Sequence, residues 1–235
     1  MIQAAAHVDT LDHLVRYALP GAHREAAADE LSQAAALGGW QALDMGRTAD
    51  AWRLHEVAVA AGRESGQVAP LAYARAQQAY ILLDAGELDA AHALVEAGQH
   101  HAGTRVSPVL RTWLHAAEGE VLAALGERDG ALRALDAATD TLPANAQDDA
   151  LPYLMLDAGH LARWRGHCLA RLGDGGAIDD LASALDVMGE GQYGRAETGL
   201  RVDLALAFQA PRRRARVPRS RTPRGRAGGP HRLRT

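Results

Sequence analysis

The chain has 235 residues, enough for one or two domains, and 48% apolar content, enough to bury a sizeable core and too much for a chain disordered throughout. The apolar residues are mostly Ala and Leu, aromatics make up only 4%, and β-branched residues are sparse, which favours helices and argues against a sheet-rich fold. The net charge of −4 hides an asymmetry: residues 1–210 hold 15 arginines against 29 acids, a net of −14, while ten arginines and no acid follow Ala210. An acidic body of this kind does not seek nucleic acid by itself.

In chain order, residues 2–19 read as a helix that ends at Pro20-Gly21. This segment lacks a basic start and an uninterrupted apolar stretch, and no run of about 18 apolar residues follows anywhere, so neither a signal peptide nor a membrane span is expected. The expected location is cytoplasmic. A lone cysteine, Cys168, agrees with that, because no intrachain disulfide can form.

The next segments repeat. A Gly followed five residues later by Ala occurs in DMGRTADAW (44–52), DAGELDAAH (84–92) and ALGERDGAL (124–132), with Gly46, Gly86 and Gly126 spaced by 40. A fourth copy, RLGDGGAID (171–179), places Gly173 after a gap of 47 and carries its Ala one residue early. Each copy reads as a helix, a short Gly-containing turn and a second helix. In the second unit these helices are expected near 69–85 and 88–100, where Leu88, Ala91, Leu94 and Val95 fall at helical spacing. Glycine suits the turn because the residue just past a helix often takes positive φ. ESGQVAP (64–70), AGTRVSP (102–108) and LPANAQDDALP (142–152) are the breakers between units. Near 195–209 a last helix is expected without a hairpin partner.

This pattern resembles the tetratricopeptide repeat family over residues 28–209. The family's early small position corresponds to Gly39, Ala79, Gly119 and Gly166, its turn glycine to Gly46, Gly86, Gly126 and Gly173, and its second-helix alanine to Ala51, Ala91 and Ala131. The spacing of 40 exceeds the family's usual period of about 34, so loops or helices are lengthened. LARWRGHCLARLGD (161–174) and LRVDLALAFQA (200–210) more narrowly resemble the repeat region of actinobacterial helix-turn-helix transcriptional regulators. The resemblance implies a right-handed α-solenoid of about four helical hairpins over 28–209, preceded by an N-terminal helix and linker over 1–27. It also implies a regulatory interaction module, without the N-terminal DNA-binding domain those regulators carry, that holds a protein, a peptide or a small effector in a concave groove.

Two positions of the first helices are candidates for that groove. Gln33, Tyr73, Trp113 and His160 share one register, and Trp40, Tyr80, Glu120 and His167 share another seven residues on, two helical turns along the same face. Aromatic and polar side chains dominate both, although aromatics are scarce. Taken singly, each ring also suits gap-filling between Ala-rich helices. Taken together, a groove is the more economical reading.

Other chemistry finds less support. His160, Trp164, His167 and Cys168 recur on one helical face with Asp157 a turn earlier, but the His spacing does not match a compact same-face pair, so no metal is assigned. His100 and His101 are adjacent at a helix end and diverge, which suits the helix dipole. Asp148-Asp149 and Asp179-Asp180 suit helix starts better than an acid–base pair. No nucleophile elbow, phosphate-binding loop or Cys/His arrangement occurs, so no catalytic residue and no cofactor are assigned.

The tail, residues 210–235, is expected to be disordered. Pro211, Pro218, Pro223 and Pro230 interrupt helices, and ten arginines without an acid repel one another. Two origins stand open, a frameshift in a GC-rich gene and a selected basic arm. The competing function is nucleic-acid binding through this tail, non-specific and steeply salt-dependent.

Overall fold

The computed structural model describes residues 2–144, 147–188 and 194–214. Ten helices cover most of them: α1 (Ile2–Tyr17), α2 (Ala22–Asp44), α3 (Thr48–Ser65), α4 (Val68–Ala85), α5 (Leu88–Ala102), α6 (Pro108–Leu125), α7 (Arg128–Thr141), α8 (Ala158–Leu172), α9 (Ala177–Met188) and α10 (Gly194–Arg214). No strand occurs among the described residues, where the single bridge joins Gln147 and Met155. The chain is all-α. No helix among those residues is long and apolar enough to cross a membrane.

The strongest packing is within α2/α3, α4/α5 and α6/α7, α8/α9 form a fourth hairpin, and the turns inside these four pairs share one geometry. Gly46, Gly86, Gly126 and Gly173 have φ of 69°, 80°, 80° and 67°, the left-handed region where a Cβ would clash. The residue after each glycine donates its amide back five residues, Arg47 to Ala42, Glu87 to Leu82, Glu127 to Leu122 and Asp174 to Leu169, each at 2.9 Å. That bond satisfies a helix-end carbonyl that would otherwise lack a partner. Ala51, Ala91, Ala131 and Ala177 then stand at the start of the second helices, each fully buried against the first.

Between pairs, prolines begin helices. Pro108 opens α6 directly after Ser107, whose hydroxyl accepts the Leu110 amide at 3.1 Å. Pro70, which the sequence assigned to a breaker, lies inside the first turn of α4 and is buried. Its missing amide is one of the donors a helix start leaves unpaired.

Four boundaries differ from the sequence expectation. Helix α1 ends at Tyr17 rather than 19, and α2 starts at Ala22, six residues before the proposed repeat boundary at 28, because Pro20-Gly21 alone suffices to turn the chain. The loop after α7 runs to Asp157, past the expected 152, because Leu151, Leu154 and Leu156 are buried and pin it across the molecule. Helix α10 is not solitary: Leu200, Leu204 and Ala207 pack with Leu169, Ala170, Ala177 and Leu181 of α8 and α9. It also continues through Pro211 to Arg214, where an interruption was expected. The rest of the basic tail, residues 215–235, lies outside the described residues.

In the α4/α5 pair close approach of the backbone sets the helix spacing. A Cβ on Gly98 of α5 would stand 2.9 Å from both the Ala72 carbonyl oxygen and Ala76 Cβ of α4. A Cβ on Gly199 of α10 would meet nothing within 4 Å. The same substitution should therefore have opposite signs: Gly199→Ala should raise stability by about 0.5–1 kcal/mol through helix propensity, and Gly98→Ala should lower it by about 1–3 kcal/mol through overpacking. Urea denaturation of the two variants checks both.

Candidate functional site

Helices α2, α4, α6 and α8, the first members of the four pairs, bring their equivalent faces to a common cavity of about 680 Å3. Seven side chains of the two candidate registers line it: Trp40, Tyr73, Tyr80, Trp113, Glu120, His160 and His167. Gln33 does not; its amide donates to Asp29 Oδ2 at 3.1 Å instead.

The aromatic rings form a continuous run across four helices. Trp40 meets Tyr80 edge to face at 5.5 Å between centroids, Tyr80 lies 6.0 Å from Trp113, and Trp113 meets Tyr73 at 4.7 Å and Trp164 at 6.1 Å. Each such pair adds about 0.5–1.5 kcal/mol beyond area burial. Tyr73 and Trp113 also belong to the core, at 7% and 8% exposure, so the same rings hold the helices together and form the cavity wall.

The roof is the loop after α7. Asp148 is buried there and fixed from both sides, accepting the Ser107 hydroxyl on Oδ2 and the amides of Ala150 and Leu151 on Oδ1. It shapes the loop. With Asp148 held, Tyr153, Leu154, Met155 and Leu156 reach the cavity. Helix α10 adds the far wall with Gly199, Leu200 and Asp203.

At that wall the charged groups interlock. The Trp164 indole N–H donates to Glu120 Oε2 at 2.6 Å, His167 Nε2 lies 3.4 Å from Glu120 Oε1, and His167 Nδ1 lies 2.9 Å from Asp203 Oδ1. Burial works against a charged imidazole, but hydrogen bonds to Asp203 and Glu120 and their negative charge outweigh it, holding the His167 pKa up at about 9. Burial likewise opposes ionisation of Glu120, and the hydrogen bond and charge of His167 with the Trp164 bond prevail, lowering its pKa. The group is therefore two carboxylates around one imidazolium. Asp203 Oδ1 is occupied by His167, and its side chain keeps 15% exposure.

Three buried polar atoms of cavity residues have no hydrogen-bond partner: the phenol oxygens of Tyr80 and Tyr153 and the amide oxygen of Gln77. Burial raises the pKa of both phenols, so they stay neutral. Cys168 is buried, its thiol pKa also raised, and it does not line the cavity. His160 pairs with Asp157 at 2.8 Å. No group of three or more His, Cys, Asp or Glu able to hold a metal occurs among the described residues.

Part of the lining went unread in the sequence. Leu37, Gln77 and Trp164 sit four residues after Gln33, Tyr73 and His160, on the same helical face between the two registers, so an i+4 step would have found them. Tyr153 stands on a loop with no period, and Asp203 on a helix outside the four pairs. Comparison with protein-family models, with curated proteins and with solved structures finds no match.

The sign of the pH dependence follows from His167. Its pKa rises from an unfolded value of 6.5 to about 9, so its stabilising contribution is full below about pH 6.5 and is lost as pH climbs through 9. Thermal midpoints should fall over that window in the native chain, and the fall should be smaller in His167→Gln.

Proposed function

We propose that this chain is a non-catalytic binding module, a tetratricopeptide-like solenoid of helical hairpins that holds a small effector in the cavity on the shared face of α2, α4, α6 and α8. The observation that carries this reading is the convergence of equivalent positions from four successive hairpins on one aromatic-lined cavity of about 680 Å3, within the range that encloses small organic ligands. A roof at 153–156 and a wall from α10 favour a compact occupant over a long peptide laid through an open groove.

Binding rather than turnover is supported by the state of the ionisable groups. A protonated His167 has no lone pair to offer as a base, and Glu120 already receives both Trp164 and His167. The wider reading, that the module is the regulatory part of a transcriptional regulator, rests on the resemblance of its repeats to those regulators.

The test uses N-phenyl-1-naphthylamine, a neutral apolar dye that brightens out of water. Trp40, Trp113 and Trp164 line the cavity, so bound dye should accept energy from tryptophan. Gly199→Phe should fill the open space beside α10 and weaken dye binding by at least about tenfold, ~1.4 kcal/mol, while the circular dichroism stays helical. Unchanged dye affinity in that variant, or binding without energy transfer, would place the site elsewhere.

A further inference from the structure

Helix α10 packs on α8 and α9 as α6 packs on α4 and α5, which is the place of a first helix. Its residues match those of α8, each 39 positions further on: Leu161, Trp164 and Cys168 correspond to Leu200, Asp203 and Ala207. The outer two of each set are buried and the middle one lines the cavity. On another face the two helices differ. In α8, Gly166 and Leu169 are buried against α9, where a Cβ on Gly166 would fall 2.7 Å from Leu181. Their counterparts on α10, Ala205 and Phe208, are exposed, as are Val202 and Leu206 beside them. No second helix covers this apolar strip among the described residues. Where Gly173 turns the chain after α8, the matching residue of α10 is Arg212, and the helix runs on to Arg214.

The existing hairpins define what such a strip takes. Each later second helix lays a fully buried Ala and, four residues on, a fully buried larger side chain against its first helix: Ala91 and Val95, Ala131 and Leu135, Ala177 and Leu181. That spacing puts both on one helical face. Residues 215–235 hold no such pair, since Ala215 is followed at that step by Arg219 and Ala227 by His231. A second copy presents none on its surface either: no exposed large apolar residue among those described has Ala four positions before it.

We propose that the open face of α10 docks an amphipathic helix of another protein, one that carries Ala with Leu or Val four residues later and completes a fifth hairpin in trans. The incoming helix takes beside α10 the place that α9 takes beside α8, so the docked interface continues the row of hairpin seams already formed. Burial of Val202 and Phe208 drives the association, and small residues on both sides, Ala205 and the partner's Ala, let the backbones approach.

The probe is a fluorescein-labelled peptide copying residues 174–188, the α9 segment, with a hydrocarbon staple joining positions 179 and 183, exposed in α9, so that its helix is preformed. Titrated with the full chain, its anisotropy should rise to saturation, and Leu181→Glu in the peptide should weaken binding at least about tenfold. Phe208→Asp and Val202→Asp in the chain, both on the open strip, should each produce a loss of at least about tenfold with the circular dichroism unchanged. Absence of binding, or equal binding of the Leu181→Glu peptide, overturns the proposal. Binding that survives both chain variants overturns it too, because the peptide would then be displacing α9 from α8. Sedimentation equilibrium of the chain alone should return a monomer. A dimer that Phe208→Asp dissociates would make a second copy the occupant and refute docking of a foreign helix.

Discussion

The close approach of paired helices is the constraint on which everything else rests. At Gly39, Gly119 and Gly166 an added Cβ would fall 2.9 Å or less from the partner helix, against His55, Leu135 and Leu181. In the α4/α5 pair the tight point has moved to the second helix, at Gly98, because Ala79 occupies the equivalent position on the first. At Gly39, Gly119 and Gly166 the missing Cβ makes room for a large side chain of the partner helix, while the scarce aromatics stand on the face that lines the cavity. Tyr73 and Tyr80, seven residues apart on α4, and Trp113, the equivalent of Tyr73 on α6, are there, and they meet because each helix is held in the same relation to its pair. The cavity is thus a consequence of small-residue packing elsewhere.

The second organising interaction is electrostatic. Glu120 from α6, His167 from α8 and Asp203 from α10 join three helices that are far apart in sequence, with Trp164 completing the acceptor shell of Glu120. A buried carboxylate without such partners would be costly to ionise. Its partners also fix the tilt of Trp164 and the position of α10, so the group that balances charge is also the one that closes one side of the cavity. His55 shows the opposite solution. Its ring is packed beneath Gly39 with neither nitrogen partnered, and burial lowers its pKa to about 4, so it stays neutral.

Much of this was legible in the sequence, and the reason is periodicity. The 40-residue spacing of Gly46, Gly86 and Gly126 located three turns, and the left-handed φ at each is the physical cause of the glycine. Adding the seven-residue step from Tyr73 to Tyr80 and from His160 to His167 located the shared face. What periodicity could not give is what lies outside the repeat. Tyr153 and Met155 reach the cavity from a loop whose path is dictated by Asp148 and by the burial of Leu151, Leu154 and Leu156, contacts that connect residues 41 apart, as from Ser107 to Asp148. Asp203 sits on α10, which sequence reasoning left without a partner because the Gly–Ala signature is missing after it. Gln33 shares a register with Tyr73 but stands on the first helix of the series, where it turns to Asp29.

The most direct test of the account is fluorine NMR of the chain with 5-fluorotryptophan at its four tryptophans, titrated with N-phenyl-1-naphthylamine. Trp40, Trp113 and Trp164 line the cavity, and Trp52 lies on α3 at 37% exposure, outside it. The account predicts that three resonances shift or broaden with a single saturation curve while that of Trp52 stays in place. A response from Trp52 alone, or bound dye with the three cavity resonances unmoved, would contradict it.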